Sequence, residues 1–366
     1  RRNNLLNLAP AIQYAIMRQQ RLISICLYLA LLLPAYGSNL NTECNIEDNA
    51  IQSDLSEDQK AAAPKVCFDV AETERCFYLL LPECAKEKPS VALVVDVHDT
   101  GKCPVDQSRI SGWKEYALRG CFAVAWPLGN TDASVTDEPC FTVPGGLEVT
   151  NELDGSHEGV APDCCCKKDG QFIHANATND IDFLHQMISR AVDEAGSNGV
   201  SVNTTSVKLT GYGNGATAAM GFTAMHSDVV ACLAPFSGHM VTPFAEDYSP
   251  VPVFSVLDSA NAQVDEHLTE DFIGYPAGSE PLILPSPSRV DSFFAEANQC
   301  GEASSRSHNT HTDEITRAEG VVTGGKFTDC EEPVNFLKPP FAAYKTRDTV
   351  SSLAKQAGPI DISMPV

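Results

Sequence analysis

The segment Val207-Lys-Leu-Thr-Gly-Tyr-Gly-Asn-Gly-Ala-Thr-Ala-Ala-Met220 constrains the fold more than any other part of the chain. An apolar, β-branched run enters a turn with glycine at 211, 213 and 215, and an alanine-rich stretch leaves it. Glycines at this density mark a sharp strand-to-helix turn where backbone packs on backbone, and Gly211 and Gly215 are the flanking positions such packing demands. The rest of the chain repeats the alternation. Short runs at 76–81, 91–97, 121–126, 206–210, 229–235 and 252–257 are rich in β-branched and apolar residues and read as strands. Between them, 178–195 reads as a helix: Ile181, Leu184, Ile188 and Val192 share one face, and Asp180 and Asp182 suit its N-terminal dipole. Near-continuous apolar strands separated by helices predict an α/β fold, a mostly parallel central sheet with helices on both faces.

Charge and cysteine content narrow the function. Asp and Glu outnumber Lys and Arg 48 to 25, for a net charge of −23. A chain this acidic has no electrostatic footprint for nucleic acid and is repelled by anionic membranes, so neither is an expected partner. Fourteen cysteines favour an oxidising compartment and a disulfide framework. Met17, Arg18 and Arg21 precede the apolar run 22–33, and small residues follow it, the order of a secretory signal peptide. The expected organisation is residues 1–37 as upstream sequence plus signal peptide starting at Met17, then 38–64 as an N-terminal arm. A domain over 65–345 follows, with an irregular, loop-like insertion at about 265–330, and 346–366 forms a tail. The mature protein is expected outside the cell. Sequons at Asn176 and Asn203 fit a glycosylated, secreted chain. With Cys26 in the leader an odd number of cysteines is left, and Cys232, inside an apolar run, is the expected free thiol. Cys67 and Cys76 flank a hairpin turn centred on Ala71 and Glu72 and can pair across it.

Serine between two such glycines, G-x-S-x-G, is the nucleophile elbow of α/β-hydrolases. Here the central position is Gly213. The chain resembles the secreted feruloyl esterase and polyhydroxybutyrate depolymerase family of α/β-hydrolases from about Arg75 to Leu337. The resemblance is carried, in order, by Arg75-Cys-Phe-Tyr-Leu-Leu-Leu-Pro82, Val94-Val-Asp-Val-His-Asp-Thr-Gly101, Ser111-Gly-Trp113, Cys121-Phe-Ala-Val-Ala-Trp-Pro127, Asn179-Asp-Ile-Asp-Phe-Leu184 and Gly211-Tyr-Gly-Asn-Gly215. It implies an α/β-hydrolase fold and oxyanion-hole-like roles for His98, Asp99 and Asn214. It also implies a disulfide between Cys300 and Cys330.

The departures fall where the chemistry belongs. Gly213 stands at the nucleophile position and Asn261 at the acid position, with Asp258 three residues earlier. The segment after 334–337, where the family's histidine is expected, reads Lys338-Pro-Pro-Phe-Ala-Ala-Tyr344. Asp99 replaces a glycine of the oxyanion turn and sets a negative charge beside a developing oxyanion. Loss of the serine alone costs about a million-fold in turnover. The resemblance therefore implies a catalytically inactive homologue that binds a polysaccharide, phenolic ester or polyester, or serves an extracellular matrix role. The alternative is an active carboxylic-ester hydrolase with a rearranged site, using His267, His308 or His311 from the insertion. His308-Asn-Thr-His-Thr-Asp313 has ligand-type spacing but lies in a polar stretch without helical period, so no metal or cofactor is expected. Cys164-Cys-Cys166 reads as disulfide chemistry for the same compartmental reason.

Overall fold

The computed structural model describes residues 51, 61–150, 158–169, 171–177, 180–256, 272–277, 280–285, 290–300, 323–326, 330 and 334–338. The strands are β1 (Ala61–Ala62), β2 (Lys65–Val70), β3 (Thr73–Pro82), β4 (Val91–Val97), β5 (Ala123–Pro127), β6 (Glu148–Thr150), β7 (Glu158–Val160), β8 (Lys167–Lys168), β9 (Gln171–Phe172), β10 (Val202–Tyr212), β11 (Val230–Phe236), β12 (Val253–Val256), β13 (Phe272–Ala277), β14 (Glu280–Pro285), β15 (Thr323–Lys326) and β16 (Val334–Lys338). The helices are α1 (Pro104–Ser111), α2 (Trp113–Gly120), α3 (Asp180–Ser197), α4 (Asn214–Met225) and α5 (Val290–Ala297).

Ten strands form one sheet in the order β1-β3-β5-β4-β10-β11-β12-β16-β15, with β2 also on β3. From β5 across to β16 every pairing is parallel, while β3 and β15 run antiparallel to their neighbours. Alternation along β4 explains the layers: Leu93, Val95 and Val97 enter a core with α3, α4 and α5, whereas Val94 packs with Trp113, Ala117 and Trp126 beneath α1 and α2. Apolar side chains on both faces are the reason this strand reads as an unbroken hydrophobic run.

The N-terminal hairpin follows its turn. Val70 pairs with Thr73, leaving Ala71 and Glu72 as a two-residue loop, with φ of 46° and 69°. Positive φ at both positions is what a type I′ turn needs to match strand twist. Cys67 and Cys76 lie directly opposite in that register and are disulfide-bonded, Cα atoms 4.1 Å apart. Cys84–Cys121, Cys140–Cys166, Cys164–Cys165 and Cys300–Cys330 are bonded as well.

Two expectations need correction. Cys232 is fully buried in β11 but is disulfide-bonded, and no described cysteine is free. The stretch at 265–330 is not simply loop, since its described parts include the β13–β14 hairpin, α5 and β15. Val290 and Phe294, one helical turn apart, bury α5 against the sheet core. That spacing is short enough to be lost among the surrounding prolines and glycines. Among the described residues no helix is long and apolar enough to cross a membrane.

Candidate functional site

β10 runs into α4 through Gly213, whose φ of 54° and ψ of −117° turn the chain abruptly at the carboxyl end of a central parallel strand. The Gly213 N–H donates to Phe236 O at 2.9 Å. The neighbouring glycines are there for closeness. A Cβ on Gly211 would lie 2.5 Å from Gly215 O, and one on Gly215 would lie 2.1 Å from Val97 O. α4 can therefore start only where its first turn touches the ends of β10 and β4 backbone to backbone.

Asp99 fills the space above the turn. A Cβ built on Gly213 would lie 2.2 Å from Asp99 Oδ1, 2.5 Å from Cγ and 2.8 Å from Oδ2. Oδ1 accepts from the backbone N–H of Asn214 and of Thr100, each at 2.8 Å. The carboxylate thus sits at the N-terminus of α4, where orphan N–H groups favour an anion. Its pKa is nonetheless raised: the cost of desolvation outweighs the two N–H bonds and nearby Lys102, and Glu138 adds to the rise. Glu138 reaches the same turn, since a Cβ on Gly101 would lie 2.6 Å from its Oε2.

His98 and Asn214 hold the frame. His98 is fully buried. Its Nε2 accepts from the Gly129 N–H at 2.9 Å, so Nδ1 carries the proton and donates to Asp99 O at 2.7 Å. Burial pushes this imidazole down to about 4. The ring, packed 4.8 Å from that of Phe141, is a neutral strut. The Asn214 amide clamps the Phe141 backbone from both sides: Oδ1 accepts its N–H and Nδ2 donates to its C=O, each at 2.7 Å. Phe141 belongs to the long segment after β5 that the Cys140–Cys166 bond ties down.

The structure brings His98, Asp99, Gly213 and Asn214 together. Asn261, Asp258, His267, His308, His311 and the segment after Lys338 lie outside the described residues. Sequence reasoning passed over His239. It follows β11 by three residues, and its N–H donates to Thr217 Oγ1 at 3.0 Å, while the Thr217 N–H donates to Gly213 O at 3.1 Å. The signal was present in Ser237-Gly-His239, directly after an apolar strand and at the same end of the sheet as Gly213. Among the described residues the one grouping tight enough for a metal is Cys67, Glu74 and Cys76, and both sulfurs there are consumed in a disulfide. Asn176 and Asn203 are both exposed, and Asn203 Oδ1 accepts from the Thr205 N–H and hydroxyl.

The antiparallel strand near one edge, the β5-β4-β10 crossing and the strand–glycine turn–helix after β10 define an α/β-hydrolase fold. Among solved structures, the chain is similar to an acetyl xylan esterase from Aspergillus awamori (11% identity over 79% of this chain and 99% of that one, TM-score 0.49). It is also similar to a ferulic acid esterase from Anaeromyces mucronatus in complex with ferulic acid (12% identity, 67% and 82% covered, TM-score 0.39). A third likeness is to an S-formylglutathione hydrolase from Staphylococcus aureus (11% identity, 56% and 80% covered, TM-score 0.34). No protein-family profile matches the chain, and no curated protein sequence does. The class rests on strand order and the turn at Gly213, not on these scores.

Proposed function

We propose that this protein is a secreted, esterase-like α/β-hydrolase that has given up hydrolysis and binds an extracellular ligand of the glycan, phenolic ester or polyester type. The observation that carries this reading is the Asp99 carboxylate lying where any side chain at position 213 would have to go. Glycine supplies no nucleophile, and Asp99 consumes the Asn214 N–H that would otherwise steady an oxyanion. Each change favours the other. With no serine there is room for the carboxylate, and with the carboxylate present a serine does not fit. Secretion is supported by the basic, apolar and small-residue order of the N-terminus and by the disulfides, and exposure of Asn176 and Asn203 suits glycan attachment.

A second reading, an ester hydrolase with a rearranged site, draws support from His239, whose backbone is fastened to the first turns of α4. One experiment separates the two. The purified protein is assayed on p-nitrophenyl acetate and methyl ferulate, and incubated with a fluorophosphonate probe. Turnover no higher than in a heat-treated control, with no covalent adduct, is expected. Probe labelling together with turnover would establish the hydrolase reading instead.

A further inference from the structure

At the end of α4 opposite Gly213, two imidazoles lie face to face. His185 stands on α3 and is exposed, while His226 follows the last residue of α4 and is half-buried. Their ring centres are 4.6 Å apart and their planes 25° apart. Fully buried Phe222 underlies both, its ring 5.1 Å from that of His226 and 6.3 Å from that of His185. The His226 backbone is held on each side: its N–H donates to Phe222 O at 2.8 Å and its C=O accepts from the Val229 N–H at 3.2 Å. Neither imidazole hydrogen-bonds to any described residue. Three exposed carboxylates are close enough to act on the charge of His226: Asp182, Asp228 and Asp247. Asp182 lies one turn before His185 on α3, where the two share a face. Asp247 is on a segment fastened to α4 by the bond from the Ala245 N–H to Ala224 O at 2.9 Å.

We propose that His185 and His226 together bind a divalent transition-metal ion of the zinc type, and that the ion clips α3 to the end of α4. This is independent of the ligand-binding reading above. Two imidazoles on one zinc, each nitrogen at about 2.0–2.1 Å, keep their ring centres roughly 4.5–5 Å apart. The observed 4.6 Å meets that spacing before any ion is added, and exposed His185 has room to turn a nitrogen toward its neighbour. Imidazole selects zinc, copper or nickel over calcium and magnesium, which take oxygen. Burial, and then the second ring, hold His226 below the usual imidazole range against the pull of the three carboxylates. Its lone pair is therefore open to a metal at neutral pH. Among the described residues no third ligand atom converges with the two rings as they stand. Water completes the shell, and the carboxylates balance the charge of the ion.

The test is calorimetric titration of zinc chloride, and separately of magnesium chloride, into the purified, disulfide-intact protein after chelator treatment at neutral pH. Zinc should bind, and His185→Ala and His226→Gln should each weaken it by about ten-fold or more. His185 is exposed, so its variant keeps the fold, which circular dichroism checks. Saturating zinc should also raise the melting temperature of the parent and leave that of His185→Ala unmoved, since an ion held between two elements binds the folded state alone. A double variant, His308→Ala with His311→Ala, removes the other pair with ligand-type spacing and should keep the parent's affinity. Four results would each overturn the proposal: no zinc binding, affinity that survives either single variant, loss of affinity in the double variant instead, or magnesium binding as tight as zinc. An unchanged melting temperature in saturating zinc would overturn the clip between α3 and α4.

Discussion

Gly213 and Asp99 form a pair whose members make sense only together. A residue other than glycine at φ of 54° and ψ of −117° sits in backbone territory that costs about 1–3 kcal/mol. Any Cβ there also pushes into the Asp99 carboxyl. Gly213→Ala should therefore destabilise the protein, by about 2–4 kcal/mol when strain and displacement of the carboxyl are combined. Asp99→Gly removes the obstruction but leaves the strain. In a double-mutant cycle followed by urea unfolding, the two changes together should cost less than their sum, with a coupling of about 1 kcal/mol or more. Strict additivity would mean that the carboxylate is not held over the turn. By the same logic Gly213→Ser alone should not yield an esterase, because the new hydroxyl meets Asp99 before it meets a substrate.

At the scale of elements, the β2–β3 hairpin bends through a turn type normally served by asparagine and glycine, yet places Ala71 and Glu72 there. Each pays a left-handed penalty of about 1–2 kcal/mol. The Cys67–Cys76 bond, set directly across the ladder, fixes the register that the turn residues do not favour. Replacing both with the preferred pair, Ala71→Asn and Glu72→Gly, should raise stability by about 1 kcal/mol after allowing for the extra freedom glycine gives the unfolded chain. Both positions are exposed, so a rise in melting temperature would report turn geometry alone. α4 shows the opposite logic. Its residues from Asn214 to Ala224 are all buried, and small side chains are what allow a helix to lie so close to β10 and β4.

Over the whole molecule, two buried groups set opposing dependences on pH. Asp96, on the α1–α2 face of β4, accepts from Gln107 Nε2 at 2.7 Å and Trp126 Nε1 at 2.8 Å, and burial pushes its carboxyl up from 3.8 to about 7. The folded state holds this proton more tightly than the unfolded state. Its contribution is complete below about 3.8 and is lost as pH rises through about 7. His98 is displaced the other way, from 6.5 to about 4. Its contribution is present above 6.5 and is lost as pH falls through about 4. Between about 4 and 6.5 the two slopes oppose each other. Asp96→Asn removes one of them, so the variant's stability relative to the parent should climb by about 1.4 kcal/mol per pH unit from about pH 4 to 7. Unfolding by urea at a series of pH values measures this, and a parallel pair of profiles would refute it.

The alternation of apolar runs with helical spacing was enough to place α3 and the six strands from β3 to β12 that the sequence reading singled out, because period and burial are local properties of the chain. Gly211-Tyr-Gly-Asn-Gly215 likewise announced its own turn, since no residue with a Cβ could stand at 211 or 215 against the backbones packed there. The absence of a serine was legible in the same five residues. What fills the vacant space was not. Asp99 lies 114 positions before Gly213 in the chain, and a negative charge predicted only to disfavour an oxyanion turns out to occupy the Asn214 N–H itself. His98 read as part of an oxyanion site, yet its two ring nitrogens are spent on Gly129 and Asp99, and His239 went unremarked because nothing in its own segment says that β11 ends beside β10. The bond at Cys232 has the same cause. Which groups meet across a sheet is decided by strand order, a property of the folded whole, and a single chain read end to end carries the pattern of each strand without the identity of its neighbour.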